Sequence, residues 1–397
     1  MRSPPRSGPL ADLRVLDLSR ILAGPYVGRL FADLGADVVK LEPPAGDEIR
    51  DIAPKHDRGM SGFYTWLNAG KRNVCIDASK PAGRELVLDL ARRCDAVVEN
   101  FRAGVAERLG IGWEAIHAAN PRAVMVSVTG FGSDSSWRDR RAFAPIVHAA
   151  TGVLEDQAHR YGQPLVQLSQ AYADSVTGLH ATVALLSALR VAARTGVGER
   201  VEVAMFDAVL ASYTETHFAL LEPRGGDDTG PIYDAGPHGP MAVAGREPHV
   251  WMRLRERWPE LGDPAAPDAD VPTKARLRRA AIETWMAEAG SRDELIERIE
   301  AAGLACAAVV SLHEAATGPL AREREVLVEV DDRRGGTRPV VRSPYRFATS
   351  DCAVRGPAPR RGEHNAEVLG ELLGLDAGRV RALEAEGVLD AAPAGAR

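Results

Sequence analysis

The first third of the chain alternates short apolar runs with segments whose apolar residues recur at helical spacing. The apolar runs predict buried strands, and their alternation with helices predicts a parallel sheet covered by helices, which is an α/β fold. The predicted strands are Leu13–Ser19, Ala36–Glu42, Asn73–Asp77, Asp95–Phe101 and Ala123–Val128. The predicted helices between them are Pro25–Leu34, Ala82–Arg93 and Trp113–Ala119.

A longer apolar segment runs from Val176 to Leu189, with small residues between its large ones. This pattern is typical of a helix that is buried on most sides, and Gly196 is placed to end it. A strand is predicted at Arg200–Met205 and a further helix at Phe206–Leu220.

One carboxylate, Asp174, lies at the start of this apolar helix among small and hydroxyl residues. Aspartate is a favoured N-cap, because its carboxylate accepts hydrogen bonds from the free amides of the first turn. A carboxylate in this position is also a candidate nucleophile. The residues alone leave both interpretations open.

The pattern changes at Glu222–Pro240, which is rich in Gly, Pro and Asp and predicts a linker or a binding loop. Helices are predicted beyond it at Thr273–Ala289 and after a capping box at Ser291–Glu294. A last helical pattern, AEVLGELLGL, lies near the C-terminus.

Composition narrows the possible functions. The 397 residues, 45% hydrophobic and 26% charged, are typical of a globular protein, and this length favours two domains. A net charge of −6 gives no basic field for nucleic acid, and no apolar run suggests a secretory signal or a membrane span. The four cysteines are too scattered for a zinc site or a disulfide framework, so we expect a cytoplasmic protein without a metal.

Several common catalytic patterns are missing from the sequence. The turn SRILAGP lacks the G-x-G-x-x-G glycines of a nicotinamide site, so Glu42 is interpreted as a structural acid. The sequence contains no G-x-S-x-G, H-E-x-x-H or Walker pattern. We interpret His148 and His180, which lie in apolar helical surroundings, as packed helix residues.

Polar and basic residues follow two predicted strands, where ligands of parallel sheets bind. Each one alone is typical of a solvated surface charge, but together they are suited to a ligand with several phosphates. These residues are Asn100, Phe101, Arg102 and Arg108 after one strand, and Arg138, Arg140 and Arg141 after the next.

These segments resemble the class III CoA-transferases, which include formyl-CoA transferase, carnitine CoA-transferase and α-methylacyl-CoA racemase. The resemblance covers nearly the whole chain, through LRVLDLSRILAGPYVGRLFADLGADVVKLEPP, LNAGKRNVCID, DAVVENFRAGVAERLG, ADSVTGLH, RTGVGERVEVAMFDAVL and RRGEHNAEVL. It implies a Rossmann-like large domain from residues 1–220 and 336–397, and a small α+β domain from residues 221–335. It also implies an interlocked, ring-shaped homodimer.

The resemblance assigns the nucleophile, because the family's reactive aspartate lies in a D-x-x-x-G motif that Asp174 and Gly178 match. It implies that Asp174 attacks an acyl-CoA, forms a mixed anhydride, and then carries CoA as a thioester until a carboxylic acid accepts it. CoA and acyl-CoA are then substrates, and no cofactor is permanently bound.

The family's CoA contacts are transferred by position. They fall on Ile21, Leu22, Ala23, Lys71, Asn100, Phe101, Arg108 and Arg141. A basic position of the family is replaced by Pro43, and the family's lid over the aspartate is matched by Gly236 and Gly239. This loop is shorter and less glycine-rich than in the oxalate-using members, which argues against formate and oxalate as substrates.

Two alternatives are weighed against the transferase. The racemase branch uses a Gly-His-Asp sequence, and the corresponding Ala142–Phe143–Ala144 has no titratable side chain for proton abstraction. A non-catalytic acyl-CoA-binding relative is the second alternative, and the presence of Asp174 argues against it. The donor and the acceptor acid are not specified by the sequence.

Overall fold

The computed structural model of the chain describes residues 7–52, 60–221 and 231–391. Residues 222–230, the first part of the predicted loop, lie outside the described residues. The chain forms two compact units, one from Met1–His217 with Glu325–Arg397 and the other from Phe218–Arg324.

The large unit contains a six-stranded parallel sheet in the order β3-β2-β1-β4-β5-β6. The strands are β1 (Arg14–Asp17), β2 (Asp37–Glu42), β3 (Arg72–Cys75), β4 (Ala96–Glu99), β5 (Val124–Thr129) and β6 (Arg200–Ala204). This is the order of the Rossmann fold, in which the direction of strand addition reverses between β1 and β4. Ligands of such sheets bind in the crevice outside the carboxyl ends of these two strands.

Within the described residues up to 221 the chain forms ten α-helices. They are α1 (Ala23–Asp33), α2 (Gly62–Asn68), α3 (Pro81–Ala91), α4 (Val105–Arg108), α5 (Trp113–Ala119), α6 (Ala144–Ala150), α7 (Val153–Tyr161), α8 (Tyr172–Thr195), α9 (Met205–Ser212) and α10 (Glu215–Leu221). A 3-10 helix lies at Glu48–Arg50.

The small unit has its own sheet and core. Its antiparallel strands are β7 (Ile232–Asp234), β8 (Pro240–Val243) and β9 (Cys306–Ala308). Its helices are α11 (Glu247–Arg257), α12 (Val271–Ala287), α13 (Arg292–Ala301), α14 (Leu312–Thr317) and α15 (Pro319–Glu323), with 3-10 helices at Gly236–His238 and Pro259–Leu261. Tyr233, Trp251, Leu254, Ile282 and Trp285 are buried between these elements.

The C-terminal segment returns to the large unit. It forms an antiparallel pair, β10 (Leu327–Asp331) and β11 (Thr337–Val341), followed by α16 (Asn365–Leu373) and α17 (Ala377–Ala385). The Cys75 N–H donates to Asn365 Oδ1 at 2.8 Å, which fixes the start of α16 against β3.

The parallel sheet is apolar on both faces because successive residues of a strand point to opposite sides. Leu16 belongs to one apolar cluster, with residues of α3, α5, α16 and α17. Its neighbour Val15 belongs to a second cluster, with residues of α1, α6, α8 and α9. The apolar strands predicted from the sequence are therefore confirmed, and helices cover both faces of the sheet.

Three local predictions are corrected. The apolar helix α8 begins at Tyr172, one turn before the expected Val176. The helix predicted at Phe206–Leu220 is two helices, because Tyr213 is extended and ends α9. Ser291 caps α13 as expected, but the Glu294 carboxylate accepts from the Gly290 N–H, so the capping box is only half formed.

Helix α8 is long and apolar enough, by length and composition, to cross a membrane. In this structure 44% of its most apolar window is buried, and eight of its residues, including Leu185, lie in the protein core. It packs against α1 and β5 as a partly buried core helix.

Candidate functional site

Asp174 lies in the first turn of α8 and beside the first residue of α1. The N-cap of α8 is Ala171, which provides no capping side chain, so of the two interpretations left open by the residues the N-cap is wrong. The Asp174 carboxylate instead faces its own N–H and the Ala23 N–H, and both favour its anionic form. Two helix N-termini therefore converge on one carboxylate.

Burial changes the proton affinity of this carboxylate. It raises the pKa of Asp174 to about 6, against the opposing effect of the hydrogen bonds from the Ala23 N–H and from its own N–H. A carboxylate with this pKa is mostly anionic at pH 7, yet more basic than an exposed aspartate. Such a group is suited to act as a nucleophile or a base near neutral pH.

Gly178 explains how α8 approaches α1 so closely. A Cβ atom at this position would lie 2.9 Å from Tyr26 Cδ1 and 3.0 Å from the Ala23 carbonyl oxygen. Only glycine allows this approach without displacing a neighbour. The glycine of the D-x-x-x-G motif thus brings Asp174 to the Ala23 N–H.

His148 of α6 supplies the cap that Ala171 lacks. Its Nε2 accepts from the Ala173 N–H at 3.0 Å, and burial lowers its pKa, so the ring is neutral near pH 7. The residue is 1% exposed, which confirms its interpretation as a packed residue. His180 is exposed and lies 2.8 Å from Ser212 Oγ, so the same interpretation is wrong there.

The predicted CoA loop after β1 is held by Asn100 at the end of β4. Asn100 Oδ1 accepts from the Arg20 N–H at 2.8 Å, and its Nδ2 donates to the Arg20 carbonyl at 2.7 Å. The Arg20 guanidinium lies over the ring of Phe101 at 5.9 Å from its centroid. Asn100 and Phe101 thus support the loop that carries Ile21, Leu22 and Ala23.

Lys71 is enclosed in the protein. Its Nζ donates to Asp17 Oδ2, the Pro25 carbonyl and Asn68 Oδ1 at 2.8, 2.8 and 2.9 Å. Burial lowers its pKa to about 8, although the neighbouring Asp17 opposes the shift. All three N–H donors are engaged and the side chain is 0% exposed, so this geometry disfavours a direct phosphate contact.

A cavity of about 290 Å³ opens beside Phe101, outside the ends of β4 and β5. Its lining includes three guanidinium groups, from Arg102, Arg138 and Arg200, and the buried carboxyl of Glu99. Burial raises the pKa of Glu99 to about 7, against hydrogen bonds from Ser127 and the Phe101 N–H. The motifs used for the sequence predictions did not single out Glu99 or Arg200.

The other predicted ligand residues are dispersed. Arg108 ends α4 and is exposed, and Arg141 is exposed before α6. Gly236 and Gly239 flank the 3-10 helix of the small unit in left-handed backbone conformations, with φ of 58° and 76°. Pro43 is half-buried just after β2.

Two further sequence predictions concern the chemistry of the chain. Within residues 7–52, 60–221 and 231–391, no group of three or more His, Cys, Asp or Glu is arranged to hold a metal ion. Glu42 is buried at the end of β2, and its carboxylate accepts from Arg50, Tyr64 and Asn73. Its structural interpretation is therefore confirmed.

Comparisons with known proteins identify the family of the chain. The family model of CoA-transferase family III matches residues 10–365. A formyl-CoA:oxalate CoA-transferase of Streptomyces avermitilis is 34% identical, over 96% of this chain and 99% of that protein. A succinate–glutarate CoA-transferase of Agrobacterium fabrum is 31% identical, over 93% and 97%. The crystal structure of a CAIB/BAIF family protein from Brucella suis matches with a TM-score of 0.76 and 29% identity, over 92% of this chain and 100% of that chain.

Proposed function

The chain belongs to CoA-transferase family III, and from this premise we propose that Asp174 is the covalent nucleophile of its reaction. The reaction moves CoA from an acyl-CoA donor to a carboxylic acid acceptor. The observation that carries the proposal is the half-buried Asp174 carboxylate, whose pKa is raised to about 6 and which faces the Ala23 N–H at the start of α1.

The proposed reaction has four steps. The Asp174 carboxylate attacks the thioester carbonyl, and the CoA thiolate leaves as a mixed anhydride forms. The thiolate then attacks the aspartyl carbonyl, which releases the donor acid and leaves CoA on Asp174 as a thioester. The acceptor carboxylate attacks this thioester, and the CoA thiolate leaves again as a second anhydride forms. The thiolate finally attacks the acceptor's carbonyl, which yields the new acyl-CoA and regenerates Asp174.

Two features of the site support these steps. The Ala23 N–H, at the N-terminus of α1, is positioned to stabilise negative charge that develops at the aspartyl carboxyl. The partial burial of Asp174 limits access of water, which protects the anhydride and the thioester from hydrolysis. A carboxylate nucleophile also divides one difficult exchange into easier steps.

We propose that CoA lies outside the carboxyl ends of β1 and β4, where Asn100 braces the loop Ile21–Ala23. The exposed Arg108 and Arg141 are the proposed phosphate contacts. The buried Lys71 supports the loop from beneath, through its bond to the Pro25 carbonyl. Gly236 and Gly239 remain the proposed lid over the nucleophile.

The acceptor is proposed to be a small carboxylic acid. The names of the relatives indicate formyl-CoA with oxalate, or succinate with glutarate, while the short lid loop favours acids other than formate and oxalate.

We also propose a homodimer, because Leu179 and Val183 on α8 are 42% and 63% exposed and form an apolar strip one helical turn apart. Light scattering of the purified protein tests the dimer.

The proposed reaction is tested by transfer assays with acyl-CoA donors and formate, oxalate, succinate and glutarate as acceptors. We expect transfer by the wild-type protein, with a rate of the chemical step that rises with pH through about 6 as Asp174 loses its proton. Asp174→Asn is expected to lose transfer while it still binds CoA. Full transfer by Asp174→Asn would contradict the proposal, and Asp207→Asn, an exposed acid in the first turn of α9, is the control.

A further inference from the structure

One residue of the loop before α1 has an unusual backbone conformation. Ile21 has a φ of 67°, in the left-handed region that β-branched residues rarely adopt. An observed outlier of this kind persists only where surrounding contacts hold it, and such outliers cluster at functional sites. The contacts that hold Ile21 therefore indicate what its conformation achieves.

Asp47 holds the Ile21 backbone. The Ile21 N–H donates to Asp47 Oδ1 and Oδ2 at 3.1 and 3.3 Å. The Ile21 side chain packs against Ile49, Tyr64 and Ala358. Both the amide and the side chain of Ile21 are therefore fixed.

Asp47 is itself held in a fully buried setting. Lys40 Nζ lies 3.1 Å from Asp47 Oδ2, and both side chains are 0% exposed. The Asp47 carboxylate also accepts from the Ile49 N–H at 3.1 Å, and its own N–H donates to Glu42 Oε2 at 3.0 Å. A buried charge with this many partners has a defined position.

The conformation of Ile21 sets the direction of the next residues. Leu22 is the N-cap of α1, and Ala23 is the first helical residue. The first N–H groups of a helix have no acceptor within the helix, so the Ala23 N–H is free to bind the Asp174 carboxylate. A change of φ at Ile21 would turn this N–H away from Asp174.

We propose that Asp47 is a positioning residue for the nucleophile: its carboxylate holds Ile21 in the left-handed conformation that directs the Ala23 N–H at Asp174. The inference rests on the proposed function of Asp174. Asp47 touches no reacting atom. It acts on Asp174 through the backbone that runs from Ile21 to Ala23.

The readout is the pH dependence of Asp174. Its pKa is set by burial and by the hydrogen bonds of the Ala23 N–H and its own N–H. The neighbouring titratable side chains are Tyr26 of α1, whose pKa burial raises, and His148 of α6, whose pKa burial lowers. Asp47→Asn replaces neither of these two residues, so a difference in the acidic limb between the two proteins reports on Asp174.

The experiment measures the rate at which an acyl-CoA labels Asp174, trapped with hydroxylamine, between pH 5 and 8 in the intact protein. For Asp47→Asn we expect labelling to slow by at least about tenfold. We also expect an upward shift of the acidic limb, because a hydrogen bond that favours the anion is lost. The KM for acyl-CoA should change little. Adding Ile21→Asn to Asp47→Asn should restore the limb, since asparagine tolerates the left-handed conformation.

Asp33→Asn is the matched control. Asp33 is 1% exposed, accepts from Arg29 and Ser343, and lies at the opposite end of α1. Its substitution should lower stability without moving the acidic limb. If Asp47→Asn does not fold, Ile21→Pro tests the same point, because proline excludes a positive φ and leaves the Lys40–Asp47 pair intact. Ile21→Gly adopts a positive φ, so although it also removes the Ile21 side chain from the CoA loop, its acidic limb should stay at the wild-type pH.

The outcomes separate the two proposals. If the wild-type protein forms no adduct on Asp174, the proposed function fails and this inference fails with it. If the wild-type protein forms the adduct, and Asp47→Asn or Ile21→Pro forms it with the same rate and the same pH profile, only the inference is overturned. Failure of Ile21→Asn to restore the limb would also overturn it.

Discussion

Replacing the half-buried Asp174 by asparagine is expected to stabilise the protein above pH 6. Burial raises the pKa of this carboxyl from 3.8 to about 6, so the folded state binds the proton more tightly than the unfolded chain does. The protonated Asp174 carboxyl therefore contributes fully to the free energy of unfolding below pH 4, and this contribution is lost as the pH rises through about 6. Asparagine carries no charge and avoids this loss.

The size of the effect follows from the shift. A rise from 3.8 to about 6 corresponds to at most about 3 kcal/mol in the free energy of unfolding at pH 8. The amide of asparagine brings an N–H₂ group that has to find its own acceptors, which reduces the gain. At pH 4 the carboxyl of the folded protein is neutral, while that of the unfolded chain, with its pKa of 3.8, is about half ionised, so most of the stability difference should have disappeared.

Urea denaturation of both proteins between pH 4 and 8 measures this difference. The comparison cancels the titration of all other carboxyl groups, and Asp207→Asn controls for the loss of an exposed acid at a helix N-terminus. The free energy of unfolding of Asp207→Asn at pH 8 should be about 0.3–1 kcal/mol lower than that of the wild type, because the variant lacks a carboxylate that interacts favourably with the helix dipole. A stability difference for Asp174→Asn that is constant with pH would refute the account of its burial.

Three further substitutions test how the site is built. Gly178→Ala should destabilise the protein by about 1–3 kcal/mol in urea and slow transfer, since its Cβ would lie 2.9 Å from a ring carbon of Tyr26. Gly370→Ala in α16, whose Cβ would meet only the Leu375 carbonyl at 3.4 Å, should be tolerated, and equal losses would contradict the steric argument. Lys71→Met should cost about 3–5 kcal/mol because Asp17 loses its buried cation. Weaker CoA binding in calorimetry without lost stability would instead make Lys71 a phosphate ligand. His148→Leu should cost about 1–3 kcal/mol in thermal unfolding by removing the acceptor of the Ala173 N–H, whereas His148→Gln keeps an acceptor and should lose less.

The sequence was sufficient to predict the six strands of the large sheet. Strands β1 to β5 are buried on both faces and are apolar runs between turns, while the edge strand β6 is only partly buried. Leu16 and Val15, for example, enter apolar clusters on opposite sides of the sheet. The short strands of the small unit were not predicted. Cys306–Ala308 has only three residues, too few to show a period, and was expected only as an apolar segment.

The position of Asp174 could be predicted, but its surroundings could not. Its partner Ala23 comes from another helix far away in the chain, and the Ala173 N–H is capped by His148 of α6. Local capping rules assigned the cap to Asp174 because they consider only neighbouring residues. These contacts depend on how α1, α6 and α8 pack together.

The buried lysine illustrates the same limit. Lys71 precedes a strand, in a position where a basic residue is suited to meet a phosphate. Its acceptors Asp17, Pro25 and Asn68 come from the end of β1, from α1 and from α2. Only the folded chain shows that together they engage all three of its N–H donors.

The central claim is that Asp174 carries the acyl group and then CoA. The most direct test is to incubate the wild-type protein with an acyl-CoA, trap it with hydroxylamine or borohydride, and map the modified peptide by mass spectrometry. The account predicts one acyl-CoA-dependent modification, at Asp174, which is absent from Asp174→Asn and still present in Asp207→Asn. Robust transfer activity with an unmodified Asp174, or with the modification on another residue, would contradict it.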